Sequence, residues 1–161
     1  MGSSGFHCAL LGLTGSTVAV GALWDAYRHR IPNVVTFLGM LVGLSYHAGL
    51  GPDARGILFS IGGLLPLLGV GFLLFSQSWL GAGDAKLLGA VGALLGFKVG
   101  LSAFLFATAV GGVWVLLWVM VESRGTGLSG GIRGLRGKRV PYGFAIAAGT
   151  GIAMYYPLFG V

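Results

Sequence analysis

Residues 56–83 run for 28 positions without a charged side chain, and that stretch constrains the fold more than any motif. A soluble protein would have to bury such a run on every side. In a bilayer it is one crossing followed by a polar exit at Ser76, Gln77 and Ser78, because a spanning helix needs about 20 mostly apolar residues. Uncharged runs recur at 6–24, 34–50, 99–121 and 140–161. Backbone groups in lipid must bond within their own segment, so these runs are predicted to be helical.

The segment 85–97 is shorter, and Lys86 and Lys98 limit it. With Gly83 and Asp84 added it amounts to one thin crossing, provided that Lys86 snorkels to the interface. A re-entrant segment is the alternative. The expectation is an all-α polytopic membrane protein of about six helices, spanning roughly 6–24, 34–50, 56–76, 83–97, 99–121 and 140–160. Composition agrees: charged residues are 9% of the chain, against roughly a quarter in soluble domains. At 161 residues the chain is a single integral-membrane domain with no room for a separate soluble module.

The net charge of +6 suggests nucleic acid at first sight. The distribution of the basic residues gives another explanation. Arg28, Arg30, Lys86, Arg124, Arg133, Arg136, Lys138 and Arg139 fall on one side if every span crosses, leaving Arg55 and Lys98 opposite. By the positive-inside rule the richer side is cytoplasmic and both termini lie outside. The positive charge is then explained by the membrane without nucleic acid. The first apolar run has no basic residue before it, so no cleaved signal peptide is expected. Cys8 is the single cysteine, which rules out an internal disulfide and a paired-cysteine zinc site. His7, His29 and His47 show no metal-ligand spacing, and neither a metal nor a cofactor is expected.

Only four residues are acidic: Asp25, Asp53, Asp84 and Glu122. Asp25 ends the first predicted span and Asp84 begins the fourth. Two crossings separate them, so topology returns both to the cytoplasmic face. Two neighbouring carboxyls in a low-dielectric site share a proton, and such a pair can activate water while polarising a carbonyl. A plainer reading competes. Asp84 would cap the helix it begins, and Asp25 would pair with Arg28 or Arg30 one turn away. Composition and topology leave the two readings open. They also leave open a small proton- or cation-coupled transporter or channel using the same acids, and a non-catalytic assembly subunit.

The motifs are more specific. GlyAlaGlyAsp at 81–84 matches the GxGD signature of membrane aspartyl proteases. Its continuation AspAlaLysLeuLeu, with Asp25 upstream followed by ArgIleProAsn at 30–33, resembles the type IV prepilin peptidases. ValProTyrGlyPheAlaIleAlaAlaGly at 140–149 is similar to the start of that family's last helix. A lone GxGD is weak in a chain with 32 glycines, whereas three motifs in order over most of the length are specific.

The resemblance implies an aspartic-type endopeptidase of the inner or plasma membrane. It would remove the short basic leader of prepilin-like proteins at the cytoplasmic face, in service of type IV pilus or secretion systems. Asp25 and Asp84 would be its catalytic pair. Gly81 and Gly83 would let the backbone turn tightly and bring a substrate strand near Asp84. Lys86, Arg30, Pro32, Asn33, Pro141, Tyr142 and Gly143 are the supporting motif residues. Lys86 is expected to anchor its helix at lipid headgroups, and Arg30, Pro32 and Asn33 to shape the turn after the first helix. Longer relatives carry paired cysteines in that region, associated with N-methylation. The turn here has none, so N-methyltransferase activity is not expected.

Overall fold

The computed structural model describes residues 3–28, 31–49, 55–135, 142–156 and 158. Every regular element among them is helical: α1 (Ser3–Arg28), α2 (Asn33–Gly49), α3 (Arg55–Ser76), α4 (Ala82–Leu135) and α5 (Tyr142–Tyr155). Three stretches, Ala9–Arg28, Arg55–Ser76 and Ala82–Val121, are long and apolar enough to cross a membrane. Large apolar side chains such as Leu58, Phe72, Leu116 and Val121 are largely exposed on the outer surface. Water would penalise such a surface and lipid does not. The fold is an all-α membrane protein, as expected.

Helical residues follow one another without a gap from Ala82 to Leu135, but they do not form one straight helix. Gly96 has φ 75°, the left-handed region that ends helices and that a residue with a Cβ enters only with strain. Eight residues of straight helix span about 12 Å. Yet a Cβ placed on Gly100 would lie 3.3 Å from the Cα of Gly92. Leu88 and Phe104, sixteen positions apart and centred on Gly96, line one cavity. The chain therefore folds back at Gly96 into two antiparallel arms, 82–95 and 97 onwards. That is the separation the sequence predicts between its fourth and fifth segments.

The first arm is the centre of the molecule. From Asp84 to Gly96 every residue except Lys86 is buried, so this arm has no lipid-facing side. α2 lies against it through Gly39 and Gly43. A Cβ on Gly39 would meet Ala90 at 3.2 Å, and one on Gly43 would meet the Ala93 backbone at 2.8 Å. α3 approaches where Gly63 faces Gly92, and Ser60 Oγ donates to the Ala93 carbonyl at 2.7 Å across that contact. The second arm carries α5, whose Gly149 rests on the backbone of Ala103 and Ala107. Small residues drive these approaches, as expected where lipid offers helices no hydrophobic driving force. Gly39 and Gly43 form a small-residue pair against this arm, and Gly96 both approaches Gly63 and reverses the chain.

Two boundaries differ from the sequence expectation. α1 continues through Arg28, which puts Asp25 inside its last turns instead of at its end. α4 is helical as far as Leu135, where a loop was expected from residue 122. The 140–160 span extends at both ends outside the described residues, and α5 covers Tyr142–Tyr155 of it.

Candidate active site

The packing of α1 on the first arm sets the register of the two acids. Thr17 and Ala90 meet at Gly39, and a Cβ on Gly21 would lie 3.3 Å from the Leu87 side chain. Rising numbers on α1 thus oppose falling numbers on α4, and the helices are antiparallel. One more turn along the same face brings Asp25 level with Asp84. Ile31, in the link between α1 and α2, is wedged between the two ends. It lies 3.9 Å from the Cβ position of Gly21 and 2.9 Å from that of Gly83. Both acids are buried, each 8% exposed, and their carboxylates act on each other electrostatically.

Each carboxylate is held by one glycine N–H. Asp84 is the third residue of α4, and its Oδ2 accepts from the Gly81 N–H at 3.3 Å. The Gly81 carbonyl accepts the first helical bond, from Ala85 at 3.1 Å. This is half of a capping box, in which the third helical side chain reaches back to the cap residue. Asp25 is held across the fold: its Oδ2 accepts from Gly143 N–H, at the start of α5, at 3.2 Å. Both contacts depend on the missing side chain. A Cβ on Gly81 would lie 2.7 Å from Asp84 Oδ2, and one on Gly143 would lie 3.0 Å from Asp25 Oδ2.

Asp84 therefore does cap its helix, but with one oxygen only. Its Oδ1 is buried with no hydrogen-bond partner among the described residues. A buried polar atom without a partner costs about 1–3 kcal/mol and calls for an explanation. Capping does not supply one.

Of the supporting residues, Lys86 turns away from Asp84. Its Nζ donates to Asn33 Oδ1 at 2.8 Å and lies 5.6 Å from the centre of the Phe37 ring. The bond joins the first turn of α2 to the first turn of α4. The two residues that the sequence treats separately, as lipid anchor and turn-former, form one tie. Pro32 precedes α2, and its carbonyl accepts from the Val35 N–H at 3.1 Å. Gly83 makes room for Ile31, Tyr142 begins α5, and Gly143 holds Asp25. Arg30 and Pro141 lie outside the described residues.

Sequence reasoning did not find the mainly apolar cavity of about 170 Å³ between the two arms of α4 and α5, with Leu80, Leu88, Phe104 and Tyr142 in its wall. Nothing could have marked them. In a chain that is 55% hydrophobic, a cavity-lining Leu looks like a lipid-facing one.

Two buried carboxyls thus sit in a lipid-solvated helical bundle, where ionisable groups are costly to keep. The chain matches the type IV leader peptidase family over residues 12–116, a stretch that contains both acids, and it belongs to that family. No curated protein and no solved structure matches it. The chain is thus a membrane peptidase of the leader-processing kind.

Proposed function

We propose that the protein is an aspartic endopeptidase that cleaves the short leader of prepilin-like proteins, with Asp25 and Asp84 as its catalytic pair. The observation that carries this reading is the free, buried Oδ1 of Asp84, held in place by the capping of Oδ2. With the two carboxyls sharing one proton, the ionised member takes a proton from water. The water oxygen adds to the scissile carbonyl carbon while the protonated member gives its proton to the carbonyl oxygen, forming a tetrahedral diol. Collapse of the tetrahedral diol breaks the C–N bond and returns a proton to the leaving amine. Each carboxyl enters the cycle with one oxygen fixed by a glycine N–H, which supplies orientation before substrate arrives.

The site opens at the cytoplasmic face in this reading. The support is the side on which eight of the ten basic residues fall when the spans alternate. A transporter using the same acids would need a polar path leading to them. The cavity among the described residues, between the two arms of α4 and α5, is lined mainly by apolar side chains, which suits a peptide side chain better than an ion.

The deciding experiment uses purified protein, a prepilin-like substrate, and the variants Asp25→Asn and Asp84→Asn. Each variant is expected to insert and fold normally and to lose cleavage by at least about 10³-fold, the scale for losing half of a catalytic pair that acts as a unit. Robust cleavage by either variant would remove the dyad. The mechanism uses no metal, so activity is expected to survive EDTA. Loss that a divalent ion restores would point to a metal site instead.

A further inference from the structure

The ArgIleProAsn stretch at 30–33 has one aliphatic side chain, Ile31, and it is buried although it lies in a link between helices. Its branches reach different helices. Cγ2 lies 3.9 Å from the Cβ position of Gly21 on α1, while Cβ and Cγ1 lie 2.9 and 3.4 Å from that of Gly83, at the start of α4. Asp25 is one turn beyond Gly21, and Asp84 directly follows Gly83. The side chain is thus forked between the two backbone segments that carry the acids. A β-branched residue is stiff at χ1, so the fork has a fixed span.

The fork is also held from behind. A residue before proline is restricted to extended backbone, and the Pro32 carbonyl accepts from the Val35 N–H, which joins the link to α2. The Lys86–Asn33 bond then fixes the first turn of α2 to the first turn of α4. Leu87, fully buried, fills the neighbouring level, 3.3 Å from the Gly21 Cβ position. Ile31 and Leu87 together separate α1 from the first arm, with Ile31 on the side of Asp84.

We propose that Ile31 is a positioning residue that sets the separation of Asp25 and Asp84, its two branches holding the ends of α1 and α4 apart. The proposal rests on the dyad reading given above. Two carboxyls share one proton only while they are close, and they titrate independently when they are far apart. Their spacing therefore governs how wide a range of pH keeps the pair singly protonated, which is its working form. For charges about 4–5 Å apart at an effective dielectric constant near 20, a change of about 1 Å alters that width by roughly half a pH unit.

The test is the width of the bell-shaped pH profile of kcat/KM on one prepilin-like substrate, whose own ionisation is common to all variants. Ile31→Val keeps both branches at Cβ and is expected to keep the wild-type width. Ile31→Leu keeps the volume but carries the fork one carbon further out, and is expected to narrow the bell by roughly half a pH unit. Gly83→Ala, whose Cβ meets that of Ile31 at 2.9 Å, spreads the same ends and is expected to narrow it likewise. Ile31→Ala lets the ends close and is expected to broaden it. A side chain that only filled space would rank the variants by lost volume, with Val perturbing more than Leu. Partial misfolding lowers the whole profile and leaves its width alone.

The other titratable groups at this end are the same in every variant: Tyr27 and Arg28 on α1, Lys86 on the first arm and Tyr142 on α5. Among the described residues α2 and α3 carry theirs, Tyr46, His47 and Arg55, at the opposite end, and the second arm has none between Lys98 and Glu122. Equal widths in all variants overturn the spacer, and so does a larger change in Ile31→Val than in Ile31→Leu. Infrared titration of the protonated carboxyl band, taken as the difference from a variant with both Asp25→Asn and Asp84→Asn, reads the same width without cleavage. Widths that follow the fork in a protein that cleaves nothing would support the spacer and overturn the peptidase reading. Cleavage with a width indifferent to Ile31 would do the reverse.

Discussion

At the scale of single residues, the site depends on two glycines as much as on two acids. Gly81 and Gly143 each present an N–H to one carboxylate at the place where any other residue would carry its Cβ. Gly143→Ala puts a methyl 3.0 Å from Asp25 Oδ2 and 3.1 Å from Asp25 Cβ, so the acid must shift. A displacement of about 1 Å in a catalytic group costs on the order of 10²-fold in rate, so the smaller shift in Gly143→Ala is expected to lower kcat by less than that factor while the melting temperature in detergent changes little. Steady-state kinetics alongside a thermal melt check it, and an unchanged kcat would show that Asp25 needs no support from α5. Asp25 and Asp84 were legible in the sequence because charge is rare there. Gly143 was singled out by its motif, but its bond to Asp25, 118 positions away, was not legible there.

Among the elements, the first arm of α4 decides most. Its sequence, GlyAlaValGlyAlaLeuLeuGly over 89–96, is the weakest membrane signal in the chain, and a re-entrant segment was the alternative there. The structure explains the weakness. This arm is surrounded by protein instead of lipid, so it needs small residues for close packing and not a lipid-length apolar surface. Its end at Gly96 is a specific vulnerability. Gly96→Ala places a Cβ at φ 75° and against the Phe59 ring. The dihedral alone is expected to destabilise the protein by roughly 1–2 kcal/mol, and the ring contact adds to it. Unfolding of Gly96→Ala in denaturing detergent measures the sum. Phe59→Ala in the same background is expected to recover the contact part and leave the dihedral part. Equal stability of Gly96→Ala and wild type would mean that the reversal lies elsewhere.

For the whole molecule, the paired placement of the acids follows from an antiparallel bundle in which α1, the first arm of α4 and α5 share one end. The orientation in the membrane is proposed from charge alone, and it carries its own test. A reporter active only outside the cytoplasm is expected to work when fused to the C-terminus and to fail when inserted at residues 136–141. The opposite pattern would invert the site to the outer face. The sequence by itself determined the helical membrane class, the number of apolar segments and the end of the bundle to which both acids return. Those properties follow from one-dimensional quantities, namely segment length, charge and the parity of crossings. The tertiary structure alone decided that Asp84 spends one oxygen on its own helix and leaves the other free. It also decided that Lys86 ties Asn33, and that a mainly apolar cavity lies between the two arms of α4 and α5. Each of these depends on contacts between segments 50 or more residues apart or on the precise rotation of a helix, and neither is encoded in the local pattern of apolar and charged residues.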